Sequence, residues 1–299
     1  MNNTWSTKIQ GIDTLNLNRE VRFTNRTFEN ILNVIGIENS ERIIELGCGP
    51  GTFTRRLASK YPNIKITGLD YDSNFIEYCK VQAREKKIEN VEYLEGNALE
   101  THLDDDYFDI CSSHTVIEHL PNHEFLEEQF RILKPGGKVV VLNTRADFAL
   151  KSSEKIEPCE RETELLDKVG LVLEDLGNQN KVALHSANPQ EILKTMEDIG
   201  FQEIQIDAIP YVICLDDTRN SIDYKIQILE SERRSLLEFI KMAMNENPNT
   251  LMQKEIEELN AVIAERFDKR VKMIESGNSI WDLSITPTIA MVGRKPFSQ

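Results

Sequence analysis

The sequence has 299 residues, of which 40% are hydrophobic, and a formal net charge of −15. This is enough chain for one large domain with an appendage, and the acidity disfavours DNA or RNA as a partner because an acidic protein repels phosphate backbones. No apolar run reaches membrane-spanning length, the N-terminus lacks a signal-peptide pattern, and five cysteines without CxxC spacing predict neither a disulfide framework nor a zinc site. We therefore expect a cytoplasmic protein without a metal ion, a membrane anchor or a nucleic-acid partner.

The first predicted element is a helix from Asn18 to Ile35, whose apolar positions follow helical spacing and whose end suits Gly36. A short apolar run then predicts a buried strand at 42–44. A second helix begins near Thr52.

Three glycines, Gly47, Gly49 and Gly51, stand at alternate positions of the turn between this strand and helix. Glycine permits positive φ and lets a ligand lie against bare backbone, while the helix offers unpaired N–H groups to the ligand. Alone, the pattern fits a dinucleotide, S-adenosylmethionine (SAM) or only a tight turn. The next strand, 64–69, ends in Asp70, about twenty residues past the glycines, where a carboxylate can accept hydrogen bonds from both ribose hydroxyls.

Strand and helix patterns alternate from there to residue 143, which predicts an α/β fold with a doubly wound, mostly parallel sheet. Five ordered motifs closely resemble those of the class I SAM-dependent methyltransferases, in the Rossmann-like branch that acts on small molecules or peptides. They are ELGCGPG at 45–51, Asp70, GNA at 96–98, IEHL at 117–120 and LKPGGKV at 133–139. The resemblance is strong over 40–143 and weaker over 186–210 and 285–294, where a helix and two strands would complete a seven-stranded sheet with an antiparallel last strand.

The resemblance implies SAM as the cofactor. It further implies a SAM-binding domain over 40–218 and 280–299, with an N-terminal helical lid over 1–39. The implied cofactor contacts are Glu45, Gly47, Cys48, Gly49, Gly51, Asp70, Tyr71, Asn97, Ala98, His114 and Arg22.

Some of these contacts have open alternatives. Tyr71 could cover the adenine face or pack on the sheet. Asn97 stands where the family commonly has an acid, and its amide carbonyl can also accept from the adenine amino group. Arg22, like Trp5, Arg19 and Arg26, could line the lid and pair with the methionyl carboxylate, or could be an ordinary surface arginine.

Two insertions interrupt the expected fold. The segment 144–187, with a helix predicted over 160–176, leaves from the sheet edge where ligands bind and is a candidate wall of the acceptor pocket. Residues 219–276 carry two long helical stripes around a turn at 245–249, and Thr250 with Gln253 has the spacing of a capping box. We expect a helical hairpin cap over 219–279, which packs on itself, on the first insertion or on a second subunit in a homodimer.

Methyl transfer from a sulfonium needs no metal and no covalent enzyme intermediate, because holding the nucleophile in line with the methyl group supplies most of the catalysis. A base is needed only if the acceptor must lose a proton, and His185 and His119 are the candidates. An ionised carboxylate acceptor would need no base, and Arg145 or Arg161 could hold it.

The Asn/Asp-Pro-Pro-Tyr/Phe signature of base or amide methylation is absent after the fourth strand, where His114 to Ile117 stand. We therefore expect transfer to an oxygen, hydroxyl or carboxylate, of a small metabolite or peptide. Two alternatives stay open at this point. They are a non-catalytic SAM-binding or scaffold protein and a nicotinamide-dependent oxidoreductase.

Overall fold

The computed structural model describes residues 5–152, 156–180, 182–186 and 188–297. Within these ranges the chain forms eight strands and nine α-helices. The strands are β1 (Arg42–Leu46), β2 (Lys65–Asp70), β3 (Val91–Glu95), β4 (Phe108–His114), β5 (Leu133–Thr144), β6 (Leu150–Lys151), β7 (Gln202–Cys214) and β8 (Leu283–Arg294). The helices are α1 (Ile12–Arg22), α2 (Asn25–Ile35), α3 (Thr52–Lys60), α4 (Ser73–Glu85), α5 (Asn122–Ile132), α6 (Glu160–Gln179), α7 (Pro189–Ile199), α8 (Ile222–Glu246) and α9 (Gln253–Glu275).

The strands form one sheet in the order β3-β2-β1-β4-β5-β8, with β7 on the far side of β8. Neighbours from β3 to β5 are parallel, and β8 runs antiparallel to both β5 and β7. The predicted doubly wound sheet with an antiparallel last strand is therefore confirmed. The described sheet has one strand beyond the predicted seven, the two-residue β6 beside the start of β8, which is too short to leave a periodic signal.

Helices cover both faces of the sheet, which is why its central strands read as continuous apolar runs. On one face, α2 and α3 bury residues such as Ile31 and Leu57 against the sheet. On the other, α5 and α7 bury Phe125 and Ile192. This two-layer burial fixes the sheet and leaves the carboxyl ends of the parallel strands free to form a site.

The predicted helix from Asn18 to Ile35 is wrong in one respect, because the chain forms two helices there. The first ends at Arg22, and the hydroxyl of Thr24 then caps the second by accepting a hydrogen bond from the backbone N–H of Thr27 at 3.1 Å. Thr24 is a favourable N-cap, and this local bond ends one helix and starts the next despite the continuous apolar spacing.

The two insertions pack together. Helices α8 and α9 form the predicted hairpin, and their apolar faces share a core with Leu165 and Val169 of α6 and with Val21 of α1. Helix α9 starts two residues later than its predicted capping box. Its capping pair is Met252 and Glu255, with the backbone N–H of Met252 donating to the Glu255 carboxylate at 2.9 Å. Burial of the residue before this cap, Leu251, in the shared core explains the shift.

Candidate functional site

A cavity of about 720 Å³, the main cavity, opens at the carboxyl ends of β1, β2 and β4. The glycine turn and the strand ends form its floor. The N-terminal segment covers it with Trp5, Ile9, Leu15 and Arg19, and the loop after α6 adds Asn180 and Val182. A parallel sheet brings these strand ends to one edge, which is where such folds bind ligands.

The glycine turn exposes bare backbone to the main cavity. Gly49 has φ +53°, and a side chain built on it would meet nothing nearer than Leu15 at 3.7 Å, so its open side is available to a ligand. Gly51 has φ +70°, and a Cβ there would lie 2.6 Å from the sulfur of Cys79. Gly49 therefore leaves space for a ligand, and the missing side chain of Gly51 lets the turn pack on α4.

Asp70 closes the floor beside this turn. Its carboxylate accepts the backbone N–H of Gly49 at 2.7 Å and that of Asp72 at 2.9 Å. Burial nevertheless raises the pKa of Asp70 to about 6. The neighbouring Tyr71 is 61% exposed and lines the same cavity.

Two hydrogen bonds hold the N-terminal segment over the main cavity next to Asp70 and Tyr71. The backbone N–H of Ser6 donates to the Asp72 carboxylate at 2.8 Å, and the Asn74 amide donates to the Ser6 hydroxyl at 3.0 Å. At its other end, the backbone N–H of Gly11 donates to the carboxylate of Glu238 on α8 at 2.6 Å. The cover of the cavity is therefore held by both the sheet domain and the hairpin.

Two arginines of α1 lie near His114, which lines the main cavity, and of the two only Arg19 belongs to the described lining. Arg19 lines the cavity, donates to the Thr115 hydroxyl at 2.5 Å and lies 3.4 Å from Nδ1 of His114. Arg22, one helical turn later, donates to the Thr144 hydroxyl at 3.4 Å, and its guanidinium lies 5.8 Å from the centre of the Tyr211 ring.

Carboxylates act on Arg19 only at longer range in the described part of the chain, where Glu45 and Glu118 oppose the lowering of its pKa. Burial, followed by repulsion from Arg22, lowers the pKa of Arg19 to about 9, and burial also lowers the pKa of Arg22. Nε of Arg22 is buried without a hydrogen-bond partner among the described residues. Within the same residues, neither guanidinium forms a salt bridge with a carboxylate.

Burial lowers the pKa of both histidines that line the main cavity. Burial, together with Arg19 and Arg22, holds the pKa of His114 well below its usual range, and its Nε2 lies 3.4 Å from the Thr144 hydroxyl. Burial lowers the pKa of His119 to about 4, and its Nδ1 accepts the backbone N–H of Ala183 at 2.9 Å. That bond leaves the proton of His119 on Nε2, so neither nitrogen is poised to accept a proton.

Most of the predicted site residues come together in one place. The lining of the main cavity includes Glu45, Gly47, Cys48, Gly49, Asp70, Tyr71, Asn97, Ala98, His114 and His119. Glu45 accepts a hydrogen bond from the Thr54 hydroxyl, and burial raises the pKa of Glu45 to about 7.

Four predicted site residues lie outside this described lining: Gly51, Arg22, Arg145 and His185. Arg145 pairs with Asp147 at 2.6 Å and stacks on Phe148. The backbone N–H of His185 donates to the carbonyl of Glu118 at 3.0 Å.

Sequence reasoning missed Phe23, Asn180 and Val182 as lining residues. Phe23 falls inside the single helix predicted from Asn18 to Ile35, and nothing in the local pattern near Asn180 signals that the loop after α6 returns to the cavity.

The residues present fit SAM. The cavity is large enough for a nucleoside with an amino-acid tail, and its lining includes both a carboxylate at Asp70 and a guanidinium at Arg19. Asn97 accepts the backbone N–H of Leu99 through its carbonyl at 3.0 Å, and this oxygen has a second lone pair for a ligand.

Neither a metal-binding cluster nor a membrane-spanning helix is found in the described ranges. No group of three or more His, Cys, Asp or Glu side chains there could hold a metal ion. Among the helices that the structure describes, none is both long and apolar enough to span a membrane.

Curated relatives are similar over part of their length. A demethylmenaquinone methyltransferase of Lactococcus lactis subsp. lactis is 36% identical over 104 residues, which cover 34% of this chain and 41% of the relative. One from Geobacillus sp. is 28% identical over 118 residues, 39% of this chain and 50% of the relative. The chain thus matches half or less of the length of these relatives.

Solved structures with low identity share the fold. Phosphoethanolamine N-methyltransferase 2 of Haemonchus contortus, in complex with SAM, aligns with a TM-score of 0.57 at 16% identity, over 98% of this chain and 60% of that one. The [4+2]-cyclase SpnF aligns with a TM-score of 0.52 at 16% identity, over 92% of this chain and 82% of that one. At such identities the likeness establishes the architecture alone.

The family model described as "Methyltransferase domain" matches residues 37–200, which is more than half of the chain. That span contains the glycine turn, Asp70 and every strand from β1 to β6. The chain therefore belongs to this methyltransferase family, the class I fold whose cofactor is SAM.

Proposed function

We propose that this protein transfers the methyl group of SAM to an anionic oxygen of a small molecule, and that Arg22 holds that oxygen. The observation that carries the proposal is the pair of half-buried arginines Arg19 and Arg22, which form no salt bridge with a carboxylate among the described residues.

In this proposal the main cavity binds the cofactor. Asp70 accepts from the ribose hydroxyls, the backbone at Gly49 lies against the methionyl portion, and Asn97 with Ala98 contacts the adenine. Of the arginines that could pair with the methionyl carboxylate, Arg19 is the one we assign to it, because Arg19 lines the cavity and Arg22 does not belong to its described lining. Residues 1–39 act as the lid over this domain.

A pair of half-buried arginines without a salt bridge in the described ranges favours an anionic ligand. Burying a charge is costly unless an opposite charge or hydrogen bonds compensate it. The methionyl carboxylate would neutralise Arg19 and leave Arg22 for a second anion. A guanidinium binds a carboxylate through two parallel hydrogen bonds, and Nε of Arg22 is a buried donor in need of such a partner.

An ionised acceptor also explains the state of the histidines. His114 and His119 have lowered pKa values and engaged ring nitrogens, which makes both poor bases. When bound, SAM supplies a methyl group attached to a good leaving group. The protein then needs only to hold the oxygen in line, and Arg22, rather than Arg145, is the residue we assign to that task.

Carbon methylation is the second candidate. The curated relatives are named demethylmenaquinone methyltransferases. A cation beside a ring hydroxyl would favour its ionised form, which activates the neighbouring carbon as well as the oxygen. Arg22 could serve either outcome, so the bond formed must be measured.

The test uses SAM with a labelled methyl group and three acceptor classes, which are aryl and alkyl carboxylic acids, phenols and reduced naphthoquinones. We expect label in a carboxylic acid or phenol product, attached through oxygen. Arg22→Gln should raise KM for the acceptor at least tenfold with little change in SAM affinity, since one charge-assisted bond contributes about 1.5–3 kcal/mol.

Arg26→Gln is the matched control, because Arg26 is exposed on α2, and it should behave like the wild type. Label on carbon would favour the second candidate. SAM binding without any transfer would favour the non-catalytic alternative.

A further inference from the structure

A second cavity of about 450 Å³ lies between the hairpin and the strand ends near β6. Helix α8 contributes Leu229 to its wall, α9 contributes Phe267, and β7 contributes Ile213. Alanines of the loop between β5 and β6 line its side, among them Ala149. The second cavity thus lies between the two insertions, which are outside the core methyltransferase motifs.

A row of hydroxyls leads from Arg22 toward this second cavity. Thr144 of β5 receives the hydrogen bond from Arg22 and pairs with Thr288 of β8, with the two hydroxyls 3.1 Å apart. Side chains alternate along a strand, so Thr288, Thr286 and Ser284 project from the same face of β8.

Thr286 and Ser284 line the second cavity, and four residues of strand span about 14 Å. Tyr211, whose ring lies beside Arg22, pairs with Thr286 across the strands and is buried.

The walls of the second cavity suit an apolar group. Half of its described lining side chains are aliphatic or aromatic, and its two arginines are already paired. The other charged lining residues that are not partners of these arginines, Lys151 and Glu232, are exposed. Arg266 forms a two-pronged bond with Glu162, and Arg270 pairs with Asp216 and Asp282. An ionic ligand would therefore gain little there, whereas burial of apolar surface is favourable.

One polar group in the second cavity is unsatisfied. Arg270 is only 3% exposed, lines the cavity, and its Nη1 has no hydrogen-bond partner among the described residues. A buried donor without a partner is uncommon, and a ligand oxygen at this end would satisfy it.

We propose that the second cavity holds the apolar body of the methyl acceptor, whose anionic oxygen lies at Arg22. This inference rests on the proposed function and narrows it. The acceptor is an acid or acidic ring hydroxyl carrying an extended apolar chain or ring system, rather than a compact polar metabolite. The hairpin then acts in acceptor recognition, through the second cavity and not through the main one.

The test measures binding of straight-chain alkanoic acids of increasing length by calorimetry, with S-adenosylhomocysteine present. In the wild type we expect the dissociation constant to tighten by about threefold to fourfold per added methylene, until the chain fills the cavity. Ala149→Phe and Ser284→Phe each place bulk in the cavity and should make the affinity level off at a shorter chain. Ala261→Phe, on the exposed face of α9, is the matched control and should leave the series unchanged.

Failure of this inference and failure of the proposed function give different results. No binding of the acids, no dependence on chain length, or an identical series in wild type and both cavity variants would overturn the inference. A length dependence that shortens in the variants supports it, even if the same samples, supplied with labelled SAM, form no methyl ester. That last outcome would count against the proposed function alone.

Discussion

Asp70 is the residue whose ionisation the cofactor site depends on most directly. Its carboxylate accepts two backbone N–H groups, yet burial raises its pKa to about 6. The form that accepts hydrogen bonds from ribose hydroxyls is the ionised one. Cofactor binding should therefore be linked to the protonation of this single side chain.

We predict that SAM affinity falls as the pH falls through 6. At pH 7 the Asp70 carboxyl is mostly ionised, and at pH 5 it is mostly protonated, so the dissociation constant should weaken by about tenfold between the two. Calorimetry of the wild type and of Asp70→Asn measures this. The variant should bind SAM weakly with a flatter pH profile, and an equally steep profile in the variant would assign the effect to another group, such as Glu45.

Two glycines of the same turn should respond differently to a methyl group. In Gly49→Ala the added carbon has space, so we predict a folded protein with SAM affinity reduced at least tenfold. In Gly51→Ala the added carbon would lie 2.6 Å from the sulfur of Cys79, so unfolding should occur at lower temperature even without ligand. Both variants also carry about 1–2 kcal/mol of backbone strain at positive φ. Thermal unfolding with and without SAM separates the effects, and the reverse pattern would contradict the assignment.

At the residue scale, the sequence predicts cofactor-facing residues better than acceptor-facing ones. Gly49 and Asp70 are positioned by the strand and turn in which they stand, so local pattern suffices. Arg145 and His185 depend on partners distant in the chain or on loop paths, and the structure places both outside the main cavity. The sequence indicates Arg19 and Arg22 as candidates. It does not predict the break at Thr24, which separates α1 from α2 and so sets the direction of α1.

Among the elements, α1 and the segment before it depend on the hairpin. The Glu238 carboxylate on α8 accepts the backbone N–H of Gly11, and Asn18 on α1 bonds to Ser235 at 3.0 Å. The cover of the main cavity is therefore anchored to an insertion that does not itself line the described part of that cavity.

We predict that Glu238→Ala weakens SAM binding about fivefold, chiefly through faster dissociation, because one hydrogen bond holding the cover is lost. Glu238→Gln keeps an oxygen acceptor and should stay close to the wild type. Glu246→Ala, an exposed change on the same helix, is the neutral control. Stopped-flow measurement of SAM dissociation provides the comparison, and equal rates in all four proteins would show that the anchor is irrelevant to the cover.

Element boundaries followed the sequence where one signal dominated. The parallel strands were predicted because short continuous apolar runs stand next to turn residues, and the α8–α9 pair because long runs of period 3.6 are strong signals. The break at Thr24 and the start of α9 were not, because in each case a cap or a buried neighbour, Leu251, outweighed the periodic pattern.

In the whole molecule, the two insertions and α1 form a single core beside the sheet domain. Leu259 of α9 is fully buried in that core together with Leu165 and Val21. The proposed lid, SAM-binding domain and cap therefore differ in role but are not separately folded units, because the three parts bury surface against one another. Removing residues 219–276 would expose this core to solvent, so point substitutions are a better test of what the hairpin does.

We predict that Leu259→Ala lowers the stability of the entire protein by about 2–5 kcal/mol, in one cooperative unfolding transition. Leu171→Ala, at an exposed position of α6, should have little effect. Denaturant unfolding monitored by near- and far-UV circular dichroism tests this. Two separate transitions, with only one of them shifted, would mean that the hairpin folds independently of the cofactor domain.

The central claim is that this chain moves a methyl group from SAM to an anionic oxygen. The most direct measurement incubates the protein with SAM carrying a deuterated methyl group and a small-molecule extract, then follows the label by mass spectrometry. We predict that an acidic, largely apolar compound gains the label through oxygen, with S-adenosylhomocysteine formed in equal amount, and that Asp70→Ala suppresses both. Binding of SAM without formation of S-adenosylhomocysteine, or label found on carbon, would contradict the account.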